Sequence, residues 1–313
     1  MPLSLLDAVA QADSFPYNIS AAHELYTLVT HDGTAQLGRV LPSAVRILTA
    51  HLASAAFFVV DPATRRIALA PDLDTFEKRS RAFAEVTASW RAAGTFALLS
   101  GWRNELYTVY APAHVGYLAV ERSACPIFGF VTYGVHLTAY VPTAMGLRLW
   151  VPRRSRTKAT YPGMLDNTVA GGIAHGYGVF ETLVKECGEE AGFPEKLIRE
   201  HAVAVGAVSY LYVRQKTAGG ETGFIQPEVQ YLYDLKMPED ALPPEPVDGE
   251  AEEFNLWDVD KVLSEIAAGH FKPNTALVTI EFLIRHGVIT PENEPDYVEI
   301  LARMHRHLEL PLQ

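Results

Sequence analysis

Three acidic residues, Glu186, Glu189 and Glu190, lie in a segment whose pattern predicts a helix over residues 179–191. On a helix, Glu186 faces Glu189 and Glu190, and each like-charge pair costs roughly 0.2–0.5 kcal/mol. Gly188 in the same turn costs about 1 kcal/mol more, relative to Ala. A sequence selected only for stability would avoid both features. The three carboxylates therefore predict a site for a hard divalent cation, which prefers oxygen ligands.

A solvated helix face is the alternative interpretation of the same residues. Glu181, Lys185 and Glu189 alternate in sign at a spacing of four residues, which is common on exposed helices. The Gly-Gly pair at 171–172 and the Ala-Gly-Phe run at 191–193 favour the functional interpretation.

The stretch from Gly171 to Phe193 resembles the Nudix box, G-x5-E-x7-R-E-U-x-E-E-x-G-U, where U is apolar. Its second half matches from Lys185 onward, with Lys in place of the usual Arg. In the first half, Gly171 stands at the opening glycine and Tyr177 stands where the first glutamate belongs. Glu181 is the acid near that position, and whether it substitutes for the first glutamate is left open.

The wider context narrows the resemblance. Residues 150–172 and 271–287 resemble a subgroup of Nudix proteins related to thiamine pyrophosphokinase, in which the box also reads Lys-Glu-Cys. Members of this subgroup hydrolyse the diphosphates of damaged thiamine, such as oxo- and oxythiamine, to monophosphates, and they carry a separate N-terminal domain. The resemblance therefore implies an α/β (α+β) Nudix fold, a mixed sheet between helices with a loop–helix–loop box, after a smaller α+β domain.

The same resemblance implies a chemistry. It predicts a metal-dependent diphosphatase with Mg²⁺ or Mn²⁺ as cofactor and a small-molecule diphosphate as substrate. It implies that the catalytic and metal-binding residues are Glu186, Glu189 and Glu190. Two alternatives stay open: a hydrolase for ADP-ribose or another nucleoside diphosphate derivative, and a non-catalytic Nudix-fold binding protein.

A basic segment precedes the box. Arg153, Arg154, Arg156 and Lys158 place four positive charges within six residues. If the preceding strand continues, alternation sends Arg154, Arg156 and Lys158 to one face. The functional hypothesis is a phosphate clamp made by these three side chains beside Gly171 and Gly172, and the alternative is a solvated strand end.

The evidence that other polar residues belong to the site is weaker. Glu250, Glu252 and Glu253 could supply a further acid, although a solvated loop is the more usual explanation for such a run. His175 lies in the glycine-rich loop, where a polar surface role is the simpler hypothesis. Cys187 occupies an apolar box position and is expected in the core.

Composition limits the class of protein. The chain has 313 residues and a formal net charge of −11, so it lacks the basic footprint of non-specific nucleic-acid binding. Two cysteines are too few for a disulfide framework and favour a reducing compartment. No Lys or Arg precedes Arg39, which argues against a signal or transit peptide, and the apolar stretch 52–60 is too short to cross a bilayer. We expect a cytoplasmic protein without a membrane partner, as a monomer or homodimer.

The hydrophobic pattern predicts two domains, 1–115 and 116–313. Leu3, Leu6 and Val9 indicate a short amphipathic helix that we assign to the first domain. Further predicted helices cover 44–52, 76–92, 179–191 and 277–284, the last capped by Asn274, with others around 259–266 and 297–308. Predicted strands cover 56–60, 66–70, 106–109, 128–141, 147–151, 202–213 and 228–235. The proline-rich, acidic stretch 236–253 is expected to be a surface loop.

Overall fold

The computed structural model describes residues 2–17, 24–238 and 241–313. The chain begins with helix α1 (Leu5–Ala12), which a capping box starts: the Ser4 hydroxyl accepts from the Asp7 N–H, and the Asp7 carboxylate accepts from the Ser4 N–H. Its buried face, including Val9, packs with the C-terminal helices and not with the first domain. The assignment of this predicted helix to the first domain was therefore wrong.

The N-terminal unit, residues 24–130, contains two small sheets and several helices. A four-stranded sheet has the strand order β2-β1-β4-β3, and β5 pairs with β6 as an antiparallel hairpin. The elements of this unit are β1 (Tyr26–Val29), β2 (Gln36–Val40), α2 (Pro42–Ala50), α3 (Leu52–Ala55), β3 (Phe58–Asp61), β4 (Arg66–Leu69), α4 (Phe76–Ala92), β5 (Leu106–Tyr110), β6 (Gly116–Glu121) and α5 (Cys125–Phe128).

An aromatic cluster forms the core of the N-terminal unit. Trp90, Phe83, Phe128 and Phe130 are all fully buried, with Phe83 edge-on to Phe128 at 4.8 Å between ring centroids. This core includes both strands of the β5–β6 hairpin and continues to Phe130. The predicted division at 115/116 falls inside that hairpin, and we propose that the first unit extends to about residue 130, where its core ends.

The C-terminal unit contains a six-stranded mixed sheet with the order β10-β11-β7-β8-β12, and β9 pairs with β7 beside this path. Among the described strands of this sheet, β11 and β7 run parallel and the other pairs are antiparallel. Its elements are β7 (Thr132–Thr143), β8 (Gly146–Arg154), β9 (Val169–Gly172), α6 (Val179–Ala191), α7 (Glu195–His201), β10 (Ala202–Val213), β11 (Ile225–Lys236), β12 (Ala251–Asp258), α8 (Val259–Ala267), α9 (Pro273–Arg285) and α10 (Tyr297–Met304).

Helices cover both faces of this sheet. On one face, α6 and α7 bury Leu183, Cys187 and Ile198 against alternate residues of β7 such as Val135. On the other face, α1 and α8–α10 pack against β8, β10 and β11. The predicted mixed sheet between helices is therefore confirmed, and so is the buried position of Cys187. None of the helices in the described ranges is long and apolar enough to span a bilayer.

Some elements differ from the sequence prediction. Strand β12 begins at Ala251, inside the stretch expected to be a loop, because its acidic residues face the basic end of β8. Strands β1 and β2 were not predicted. The predicted cap residue Asn274 lies inside the first turn of α9, whose N-cap is Lys272 and which has Pro273 at its first position.

Candidate metal centre and adjoining cavity

Helix α6 and strand β9 together position the acidic side chains. The helix begins after Gly178 and ends at Gly192, which adopts the left-handed conformation (φ +65°) that glycine tolerates best. Its apolar side chains at 183, 187 and 191 lie in the core. Because these positions repeat every four residues, Glu186 and Glu190 lie along the edge of the buried stripe, next to β9.

Glu186 and Glu190 meet the backbone of β9. The Ala170 N–H donates to Glu190 Oε2 at 3.1 Å, and the Glu186 side chain lies against the Cα of Gly171. A Cβ at position 171 would stand 2.3 Å from Glu186 Cγ, so the glycine is needed for this approach. The structure thus brings Gly171 together with Glu186 and Glu190, and their role in one site stays a prediction.

Glu189 and Glu181 lie elsewhere on the helix. Glu189 is 54% exposed and pairs with Lys185 at 2.7 Å. Glu181 forms a two-fold hydrogen-bonded ion pair with Arg199 of α7, at 2.9 and 2.7 Å. Glu181 therefore does not take the place of the missing first glutamate in this structure. The role of Glu189 as a ligand stays a prediction.

Burial and like charges disfavour ionisation of the two inner glutamates. Burial raises the pKa of Glu190 well above its ordinary value, with Glu186, Asp166 and Glu250 adding repulsion and the Ala170 N–H opposing it. Burial also raises the pKa of Glu186, partly offset by Lys185. Glu190 forms no ion pair within the described part of the chain.

These side chains fit a hard divalent cation. The donors are carboxylate oxygens, and Glu190 is an uncompensated acid surrounded by Glu186, Asp166 and Glu250. In the described ranges, no group of three or more acidic, histidine or cysteine side chains is arranged to hold a metal ion by itself. The fit therefore rests on Glu186 and Glu190, with the remaining ligand positions available to substrate oxygens and water.

This electrostatic arrangement predicts a pH-dependent effect of Mg²⁺ on stability. Without metal, the raised pKa values mean that the native protein binds protons at Glu190 and Glu186 more tightly than the unfolded chain does. Their contribution to the free energy of unfolding is therefore complete below the ordinary glutamate pKa of 4.5 and is lost as the pH rises through the raised native values. We expect the stabilisation by Mg²⁺, measured as the shift in Tm, to increase from about pH 5 to about pH 8. An equal shift across that range would contradict the assignment.

The predicted clamp residues are largely paired with acids. Arg154 bonds Asp166 at 2.6 Å and also donates to the carbonyls of Thr160 and Tyr161. Arg156 is 81% exposed and lies 3.8 Å from Glu252, while Lys158 pairs with Glu250. The structure thus brings Arg154 and Lys158 close to the acids around Glu190 but gives each a partner already.

Glu250, Glu252 and Glu253 explain this neutralisation. They lie at the end of the loop and the start of β12, opposite the basic end of β8, and Glu253 pairs with Arg153 at 3.1 Å. Glu250 also lines a small pocket together with Glu190 and Asp166. The acidic run is therefore a counter-charge to the basic segment, and one member of it reaches the candidate metal centre.

A cavity of about 210 Å³ lies between the two units and continues into a smaller one beside β9. We call it the inter-unit cavity. The aromatic side chains of its larger part are Tyr161, Tyr210 and Tyr212. Both parts share the side chains of Arg122, Gln226, Glu228, Lys272 and Asn274.

Lys272 occupies a central position in this region. Its Nζ lies 5.9 Å from the centre of the Tyr161 ring, and it forms no ion pair within the described residues. Burial lowers the pKa of Lys272, whereas Asp166 and Glu228 favour its charged form. The sequence reasoning did not select Lys272, although it lies within the 271–287 segment on which the family resemblance depends.

The N-terminal unit holds the box loop directly. The His175 N–H donates to the Leu106 carbonyl at 2.6 Å, its ring bonds Thr108 at 2.9 Å, and it stacks on Phe76. The Tyr107 hydroxyl lies 1.7 Å from the position that a Cβ on Gly172 would take. His175 is therefore a contact between the units, which the sequence could not indicate.

The contact at Gly172 gives a testable prediction. Gly172→Ala would force Tyr107 away from β9, so we expect it to lower the free energy of unfolding by about 1–3 kcal/mol. Gly188→Ala is the matched control, because a Cβ there meets only the Phe193 carbonyl at 3.9 Å. That variant should stabilise the protein by up to about 1 kcal/mol. Urea denaturation measures both, and equal effects would contradict the packing argument.

Sequence comparisons divide the chain in a similar way. A model described as a domain of unknown function, DUF4743, matches residues 8–132, and the NUDIX domain model matches residues 135–277. The Saccharomyces cerevisiae protein named uncharacterized protein YJR142W is 38% identical over 321 residues, covering 98% of this chain and 92% of that protein.

Two Arabidopsis thaliana proteins are also similar. Nudix hydrolase 20, chloroplastic, is 43% identical over 73% of this chain, and Nudix hydrolase 24, chloroplastic, is 40% identical over 74%. The chain spans 58% and 60% of their respective lengths.

Likenesses among solved structures are more distant. A Caenorhabditis elegans Ap4A hydrolase binary complex has 15% identity and a TM-score of 0.34, covering 49% of this chain and 98% of that chain. The MutT protein from Methanosarcina mazei has 16% identity and a TM-score of 0.35, covering 50% and 95%. Neither likeness is close enough to bear on the substrate.

Proposed function

We propose that this chain, whose residues 135–277 match the NUDIX domain model and which is similar to two proteins named Nudix hydrolases, hydrolyses the diphosphate bond of a small organic diphosphate, and that damaged thiamine diphosphates are its substrates. The products would be the thiamine-type monophosphate and inorganic phosphate. The observation that carries this proposal is the meeting of Glu186 and Glu190 at the glycine-rich strand β9, with Glu190 lacking a cationic partner within the described residues.

The chemistry needs neutralised phosphate oxygens and an activated water. Glu186 and Glu190 would hold Mg²⁺ or Mn²⁺, with Glu189 proposed as a third ligand. A bound divalent cation supplies charge neutralisation and lowers the pKa of a coordinated water. Hydrolysis forms a bond from the water oxygen to phosphorus and breaks the bridging P–O bond.

Lys272 contributes a second source of positive charge. It lines both parts of the inter-unit cavity, and the carboxylates of Asp166 and Glu228 favour its charged form. An ammonium group there can bind phosphate oxygens and align the bridging bond. The net charge of −11 makes such a local cation necessary for an anionic substrate.

The cavity supports the proposal of a flat, polar organic group. Tyr161, Tyr210 and Tyr212 offer aromatic surfaces, while Gln226 and Glu228 offer hydrogen-bonding groups for a heterocycle. Segments 150–172 and 271–287, on which the thiamine-related resemblance depends, supply Tyr161 and Lys272 to this cavity. Both segments that carry the resemblance therefore line the cavity that we propose binds the organic group of the substrate.

A panel assay tests the proposal. Phosphate or monophosphate release should be measured in Mg²⁺ from oxythiamine diphosphate, thiamine diphosphate and ADP-ribose. We expect kcat/KM to be highest for oxythiamine diphosphate. A preference for ADP-ribose would replace the substrate but keep the chemistry, whereas no turnover of any compound would favour a binding protein. We propose the cytoplasm as its compartment, to be tested by localising the tagged protein.

A further inference from the structure

The inter-unit cavity has one wall from each unit of the chain. From the N-terminal unit, Leu98, Arg103, Arg122 and Pro126 line it. From the C-terminal unit come the three tyrosines, Glu228 and Lys272. A substrate whose organic group enters this cavity would therefore touch both units, including the one whose family model has no assigned function.

Arg122 lies where the inter-unit cavity meets strand β9. It lines both the large part of the cavity and the smaller part beside β9. Its guanidinium carbon lies 3.5 Å from the position of a Cβ on Gly172, and 5.4 Å from the centre of the Tyr107 ring. The Arg122 side chain is 40% exposed, so a ligand in the cavity can reach it.

Most hydrogen-bonding capacity of Arg122 is unused. One nitrogen donates to Glu105 Oε2 at 2.9 Å, and this is its side-chain hydrogen bond within the described residues. A guanidinium has five N–H donors in a planar fork that matches the oxygens of a phosphate. The Glu186 side chain lies against Gly171 and the Arg122 guanidinium lies against Gly172, so Arg122 and the candidate metal centre meet neighbouring residues of β9.

We propose that the N-terminal unit is a substrate-binding part of the enzyme, in which Arg122 binds the phosphate that remains attached to the organic group. The position of Arg122, between the tyrosine-lined cavity and strand β9, is the position that this phosphate must occupy when the bridging bond lies at Glu186 and Glu190. This inference rests on the proposed function for the identity of the substrate. The position of Arg122 beside β9 is independent of the proposed function.

The test compares Arg122→Gln and Arg122→Lys in the full chain. Two readouts are needed: KM and kcat for oxythiamine diphosphate, and the Kd of oxythiamine monophosphate measured by calorimetry, which needs no turnover. We expect Arg122→Gln to raise both KM and Kd by about tenfold to a hundredfold, the effect of losing a charge-assisted hydrogen bond, with kcat changed by less than about threefold. Arg122→Lys should be intermediate.

Two control variants separate binding from structure. Glu105→Gln removes the ion pair of Arg122 but keeps its charge, and Arg81→Gln removes an exposed arginine of the same unit that lies 3.9 Å from Glu85. We expect both to keep KM and Kd within about twofold of wild type. An equal rise in Glu105→Gln would mean that the pair is structural, and would overturn the proposal.

Failure of the inference differs from failure of the proposed function. An active wild type whose Arg122→Gln variant keeps KM and Kd within about twofold overturns only the inference. A wild type without turnover overturns the proposed function. In that case monophosphate binding that weakens in Arg122→Gln still supports the binding role, and a wild type that binds no monophosphate overturns it.

Discussion

Glu190→Gln should abolish phosphate release in Mg²⁺, with a fall in kcat of at least about a thousandfold, because metal ions contribute several kcal/mol to transition-state stabilisation. Gln keeps the size of the side chain and can still accept the Ala170 N–H, which now bonds Glu190 at 3.1 Å. The fold should therefore persist. In metal-free buffer the variant should be as stable as wild type or more stable, since it removes a carboxylate whose pKa burial raises.

Glu181→Gln is the matched control for this prediction. It lies on the same helix, but its carboxylate pairs with Arg199 on the exposed side. We expect kcat to stay within about twofold and stability to change by less than about 1 kcal/mol. Glu189→Gln decides the open question about the third ligand, since a loss comparable to that of Glu190→Gln would place it at the metal. Full activity in Glu190→Gln would exclude this carboxylate from the chemistry.

The box helix was predictable because its signals are local. Gly178 and Gly192 delimit it, and the apolar residues between them repeat with the helical period, so both limits of 179–191 agree with the structure. The same local signals predicted α4 over residues 76–92 and β10 over 202–213. Strand β12 was not predicted because its acidic residues are typical of a solvated loop. Their pairing with the basic end of β8 depends on a distant part of the chain.

The site residues that could be predicted are also those that depend on local sequence. The relation of Glu186 to Glu190 depends on helix geometry and could be inferred from spacing. Arg122 reaches the site only through the packing of one unit on the other, for which the sequence holds no periodic signal. The basic segment was recognised, but its pairing with Glu250 and Glu252 depends on the position of β12 beside β8.

Arg154→Gln is expected to destabilise the protein strongly, by about 3–5 kcal/mol, because it breaks a buried ion pair and leaves the Asp166 charge without its hydrogen-bonded partner. The Arg154 and Asp166 side chains are only 12% and 7% exposed. Although burial opposes ionisation of Asp166, Lys272 and Arg154 lower the pKa of Asp166 below its ordinary value. Arg154 also holds the carbonyls of Thr160 and Tyr161, so the Tyr161 wall of the inter-unit cavity should lose order as well.

Arg156→Gln distinguishes this structural role from the clamp that the sequence suggested. Arg156 belongs to the same basic segment but is 81% exposed, and its loss should change the free energy of unfolding by less than about 1 kcal/mol. Urea denaturation in metal-free buffer measures both variants, and adding Asp166→Asn to Arg154→Gln should recover part of the loss, because it removes the unpaired charge. If Arg154→Gln were as stable as Arg156→Gln and only raised KM, then Arg154 would be the phosphate ligand that its position in the sequence first suggested.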